Sequence, residues 1–231
     1  MSTFFLLLWL VHTLISGYKH MRGYPLRLIP DTLLQGVVLL CALWWAWNQQ
    51  LLTRHLWSPF DMSLGILLGH GLFFVSLLLT HCHLGDAFRI FISLREIADF
   101  AGRVPTFCIR MLGLCFVEEL VYRVTGQSIL IQLLPYEWMA IVLTALGFSL
   151  MHGHFFRSGW GSALEFFFFS LIIGALYAYT LSVALVVFVH FIRNLESSYL
   201  DYYAMLQEGK DPEEASASLE GPQMSAALEV P

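Results

Sequence analysis

Residues 62–80 read MSLGILLGHGLFFVSLLLT, nineteen positions without an Asp, Glu, Lys or Arg. A helix of roughly 20 apolar residues crosses about 30 Å of hydrocarbon, so this stretch reads as a membrane span. Working outward, six more segments are mostly apolar and qualify as spans: the short Thr3–Ser16, Thr32–Asn48, Pro105–Arg123, Trp138–Phe155, Ala163–Thr180 and Val183–Tyr199. The run Ile129–Leu134 either extends the fourth span or re-enters the membrane, and Pro135 stops it. The first segment competes with a signal peptide. No Lys or Arg precedes it and no small-x-small cleavage site follows, so a retained helix is expected. Composition agrees: of 231 residues, 58% are hydrophobic and 13% charged, with mean hydropathy +0.68. Soluble domains sit near 45–50% apolar and about 25% charged. With Lys+Arg 12 against Asp+Glu 17, no basic surface is available for a nucleic acid. The fold class expected is all-α, a polytopic transmembrane bundle of about seven spans plus an amphipathic interfacial helix.

The interfacial helix is read in His81–Arg103, where Arg89, Arg95 and Arg103 alternate with Phe88, Ile90, Phe91, Ile92, Leu94 and Ile97. Trp44, Trp45 and Trp47 read as an interfacial belt. Three parts are expected: membrane spans and linker over 1–104, a core of functional helices over 105–200, and a polar, acidic, disordered tail over 201–231. Cys41, Cys82, Cys108 and Cys115 show no CxxC spacing and read as packing residues. Basic residues gather in loop one (Lys19, Arg22, Arg27) and loop three, against Arg54 alone in loop two. The positive-inside rule then places the N-terminus outside and the end of span four, near Arg123, toward the outer face.

Ionisable residues inside spans cost about 2.5–3.5 kcal/mol each at the helix centre, so they mark functional candidates. Three groups stand out. In Glu118-Glu119-Leu120-Val121-Tyr122-Arg123, Glu119 and Arg123 are i and i+4 and can pair, while Glu118 points about 100° away. A helix end emerging into water would explain the same residues. In Phe148-Ser149-Leu150-Met151-His152, Phe148 and His152 share a face of the fifth helix. A helix–helix hydrogen bond is the plain alternative there. In His190-Phe191-Ile192-Arg193-Asn194, His190 and Asn194 stack on one face, and Arg193 falls on another and can snorkel. An interhelical clasp worth about 1 kcal/mol is the alternative. Together the groups hold a Glu and a His that can activate a water, and a His and an Asn that can donate to an oxyanion. GxSxG, GxGD and HExxH do not occur.

Taken in order, EExxxR at 118–123, FxxxH at 148–152 and HxxxN at 190–194 resemble the motifs of the CAAX protease and bacteriocin-processing (CPBP, or ABI) family. Its members include the type II CAAX prenyl endopeptidases. Phe169, Gly174, Tyr177 and Thr180-Leu181-Ser182 are similar to the family's third core helix and turn. The resemblance implies a glutamate-type intramembrane protease. It would have Glu118 and His152 activate the water, His190 and Asn194 form the oxyanion site, and Glu119, Arg123 and Phe148 support them. It implies a protein or peptide substrate in the bilayer. The short chain resembles prokaryotic members, which mature exported peptides, cleave C-terminal sorting tails of surface proteins or give bacteriocin immunity. A multi-pass protein of a prokaryotic inner membrane is therefore expected.

No cofactor and no metal are expected. Zn²⁺ on Glu118, His152 and His190 is the alternative to a metal-independent mechanism, and it is disfavoured because no two of these ligands sit at i, i+4 on one helix. A non-catalytic scaffold or immunity protein on the same fold is the main alternative. A proton-relay transporter is another, but no paired Gly/Pro-broken halves support it. His70, His81, His83 and His154 carry no assigned role. Glu165 reads as structural, a negative charge at the start of span six, and Phe166–Phe169 as a lipid- or core-facing aromatic run.

Overall fold

A computed structural model describes residues 1–22, 31–54, 58–81, 84–152 and 159–220. Cys82, His83, His154 and the last eleven residues of the expected tail lie outside the described residues. The chain is all-helical, with no strand among the described residues. In order come α1 (Ser2–Arg22), α2 (Asp31–Asn48), the short α3 (Leu51–Arg54), α4 (Pro59–His81), α5 (Leu84–Ile92), α6 (Leu94–Arg103) and α7 (Pro105–Glu119). A π-helix, Leu120–Gln127, continues α7 without a break into α8 (Ser128–Leu133). Then follow α9 (Glu137–Met151), α10 (Gly159–Thr180), α11 (Val183–Gln207) and α12 (Pro212–Glu220).

Three of these helices are long and apolar enough to cross a membrane: Pro59–Leu79, Gly159–Thr180 and Val183–Gln207. Thr32–Asn48 and Glu137–Met151 are apolar but shorter. Helices of this length and apolarity are those of an integral membrane protein.

Helices α4 and α11 run parallel. Asp61 Oδ2 accepts from Ser182 Oγ at 2.7 Å, and His70 Nδ1 meets Glu196 Oε1 at 2.8 Å further along. Between these polar ends the backbones close on each other at two glycines. A Cβ on Gly65 would stand 2.7 Å from the Leu185 carbonyl oxygen, and one on Gly69 would stand 2.8 Å from that of Val189. Two glycines four residues apart are the small-residue seam that lets membrane helices touch backbone to backbone. We expect Gly69→Leu to lower stability by about 1–3 kcal/mol through overpacking. Gly71→Leu, whose Cβ would meet nothing within 4 Å, should be near neutral. Thermal unfolding of the two variants in detergent checks this, and equal midpoints would contradict the seam.

Helix α7 runs antiparallel to α11, with Glu119 against His190 and Cys115 against Asn194. The interfacial stretch is two helices rather than one, divided at Ser93, whose hydroxyl turns back to the Ile90 carbonyl at 2.6 Å. The first docks on α4 through Phe91, which stacks on His70 at 4.1 Å between ring centroids, and the second buries Ile97 and Phe100.

Several expectations are corrected. The helix that begins at Pro105 does not end near Arg123: it runs on through the π-helical turns to Leu133, the extension that the Ile129–Leu134 run allowed, and all eight π-helical residues are buried. Glu119 and Arg123 are both 0% exposed, which overturns the reading of a helix end in water. The part expected as a disordered tail is helical as far as Glu220. α11 runs on to Gln207, and α12 buries Ala215, Ser216 and Leu219. The reason is amphipathicity within an acidic composition, together with a cap: Glu220 Oε1 accepts from the Thr106 amide at 3.1 Å in the first turn of α7. Of the tryptophan belt, Trp44 and Trp47 are exposed, but Trp45 is core and donates to Ser2 Oγ at 3.2 Å.

Candidate active site

Four elements meet around Glu118. Helix α7 delivers Glu118 and Glu119 at its last turn, where the chain changes to π-helical hydrogen bonding. Short π segments inside α-helices are frequent at functional sites, because the wider turn re-aims the residues beside it. Here Arg123 still falls under Glu119, with Nη1 at 3.4 Å from Oε1. The guanidinium also donates from Nη2 to Ser170 Oγ at 2.8 Å and lies 4.0 Å over the Phe148 ring. This buried cation is held by a carboxylate, a hydroxyl and an aromatic face together.

Phe148, 0% exposed, is the hub of the apolar wall. Its ring centroid is 5.2 Å from Tyr122, 5.5 Å from Phe166, 5.7 Å from His190 and 4.4 Å from His152. His152 is not within the fifth helix, as its spacing from Phe148 led one to expect. Helix α9 stops at Met151, and His152 is the extended residue after it. Its ring Nδ1 takes the Phe148 carbonyl at 2.8 Å, the acceptor its own amide would use in a continuing helix.

The two histidines are oriented in the same way. A backbone carbonyl is an acceptor only, so the Phe148 carbonyl holds a proton on the His152 Nδ1 that faces it. His152 spends Nδ1 on the Phe148 carbonyl. His190, on α11 and 1% exposed, spends Nδ1 on Glu119 Oε1 at 2.8 Å. Both therefore turn Nε2 toward Glu118: His152 Nε2 is 3.6 Å from Oε1 and His190 Nε2 is 3.6 Å from Oε2. These gaps exceed a direct hydrogen bond. Glu118 itself is 13% exposed and His152 22%, so the cluster is closed on the His190 side and open on the His152 side.

The structure thus brings Glu118, Glu119, Arg123, Phe148, His152 and His190 into one cluster. Asn194 stands one turn further along α11, with its amide on Cys115 Sγ at 3.8 Å and Arg193 Nη1 at 3.3 Å. Arg193 does not snorkel. Its Nη2 donates to both Glu165 oxygens at 3.0 Å. Glu165 is therefore a partner to the site's own helix rather than a charge at a helix start. Both lie inside apolar spans, and the rule that intramembrane charges find each other would have paired them. Ser170 and Tyr122 gave no such signal. The N-terminal helix also reaches the cluster, with Trp9 edge-on to Tyr122 at 5.6 Å and Thr13 Oγ1 3.3 Å from the Tyr122 hydroxyl. Phe166 and Phe169 of the aromatic run face inward, 4.8 Å from His152 and 5.6 Å from His190 between centroids.

Residues 100–195 match the model of a family described as Type II CAAX prenyl endopeptidase Rce1-like. Neither a curated protein nor a solved structure matches the chain. The matched segment takes in α7, the π-helix and all three motifs, and over it the chain is similar to the Rce1-like type II CAAX prenyl endopeptidases.

Proposed function

We propose that the chain is an intramembrane endopeptidase in which Glu118 and His152 activate a water for attack on a peptide bond near the membrane face. One observation carries this reading: two histidines, each engaged at Nδ1, aim Nε2 at opposite oxygens of one carboxylate, each across 3.6 Å. A neutral imidazole lone pair and a carboxylate are both acceptors and cannot bond each other directly. A water donating one proton to Glu118 and the other to His152 fits such a gap. Glu118 takes a proton as the water attacks, and the protonated pair returns it to the leaving amine. With a proton on Nε2 as well, His190 joins Asn194 as a donor to the developing oxyanion, and Glu119, Arg123 and Phe148 hold His190 and the α7 turn in place.

The substrate class proposed is an exported or surface protein losing its C-terminal sorting tail, or a secreted peptide being matured, in a prokaryotic inner membrane. Seven spans with the N-terminus outside belong to the same proposal. The test is a comparison of membrane-protein termini in cells carrying the wild type or His152→Ala at equal membrane levels. At least one protein should keep its uncut end in the variant. Identical termini throughout would refute the peptidase.

The mechanism uses no metal. Proteolysis by the purified protein should stay within about twofold after EDTA or 1,10-phenanthroline, since no step depends on a Lewis acid. Loss of more than nine-tenths of the rate, restored by Zn²⁺, would replace this mechanism with a metal-dependent one.

A further inference from the structure

Asn194 is held at both ends of its amide. Oδ1 accepts from Arg193 Nη1 at 3.3 Å, and Nδ2 points at Cys115 Sγ at 3.8 Å. Arg193 in turn is clamped by Glu165, 15% and 10% exposed respectively, and its guanidinium carbon lies 5.0 Å over the Phe169 ring. An asparagine amide has nearly the same shape when its O and N are exchanged, so packing alone does not choose between the two orientations. A cation does. With the amide flipped, the NH₂ group would face guanidinium donors and both hydrogen bonds would be lost.

We propose that the Glu165–Arg193 pair is a positioning device for Asn194, resting on the endopeptidase reading above. Arg193 claims the amide oxygen and so commits the NH₂ group to the α7 side, where Cys115 precedes Glu118 by three residues. Glu165 keeps Arg193 from extending away to the membrane surface. The thiol that holds the NH₂ group is a weak acceptor, given up at little cost when an oxyanion forms. Arg193 and Glu165 touch no reacting atom in this scheme. They act through Asn194.

The chain has two asparagines, Asn48 and Asn194. Protein labelled with ¹⁵N-asparagine therefore gives two side-chain amide signals, and Asn194→Ala assigns them. The decisive variant is the charge swap Glu165→Arg with Arg193→Glu, compared with Arg193→Met. A clasp that only joins α10 to α11 is satisfied by either polarity, whereas a glutamate at 193 presents an acceptor to Asn194 and favours the flipped amide. The expected result is a swap variant that regains the thermal midpoint lost in Arg193→Met. Its Asn194 signal stays displaced, and kcat on the cellular substrate stays roughly 10- to 100-fold low at near-normal KM. A swap that restores both the signal and kcat would overturn the proposal. So would an Asn194 signal unmoved in Arg193→Met, a result that decides the matter even if Glu118→Gln proves fully active and the peptidase reading fails.

Discussion

Glu118→Gln should lower the rate of peptide cleavage by roughly 10²- to 10⁴-fold, the usual worth of a general acid–base group. The side chain keeps its size and two polar atoms, so the protein should fold normally. What it loses is the ability to take the proton of an attacking water. Glu118 meets the two imidazole nitrogens at 3.6 Å, beyond direct hydrogen-bond distance. Stability should therefore change little. A melting midpoint equal to wild type with the rate lost would separate chemistry from folding. A rate within tenfold of wild type would remove Glu118 from the chemistry.

Arg123→Leu should instead destabilise the whole domain, by about 3–5 kcal/mol, because it strands a buried charge. Glu119 is 0% exposed, and its Oε2 has no hydrogen-bond partner among the described residues. Without Arg123 it keeps the contact of Oε1 with His190. The Ser170 hydroxyl loses its donor and the Phe148 ring loses its cation. Replacing both charges together, as Glu119→Gln with Arg123→Met, should cost less than Arg123→Leu alone, since no unpaired charge is then buried. Thermal unfolding in detergent reads both variants, and a double variant less stable than Arg123→Leu would contradict the pairing.

The sequence was most informative where charge and apolarity conflict. Glu119 and Arg123 pair at the i, i+4 spacing that placed them on one face, and Glu118 turns away from that pair to the two histidines. The bundle class followed from apolar stretches such as 62–80. Helix ends were harder. Nothing in Leu120–Gln127 distinguishes a π-helix from an α-helix, because that choice is settled by the packing of eight buried residues rather than by propensity. The ending of α9 at Met151 depends on a side chain taking a backbone acceptor, which no periodicity reveals. The acidic stretch after Gln207 looked unable to pack, yet three small or apolar residues at helical spacing were enough to dock it on its neighbours. The Gly65–Gly69 seam was present in the sequence as two glycines four apart in the stretch that decided the fold. Its partner became visible only once α11 was laid beside it.

The central claim is that Glu118 and His152 work on one water as a unit, and a double-mutant cycle on cleavage rate tests it most directly. Residues that share one step are strongly non-additive. The account predicts that Glu118→Gln, His152→Ala and the double variant all fall to nearly the same residual rate. Losses that multiply in the double variant would contradict it, and so would a single variant that cleaves as fast as wild type.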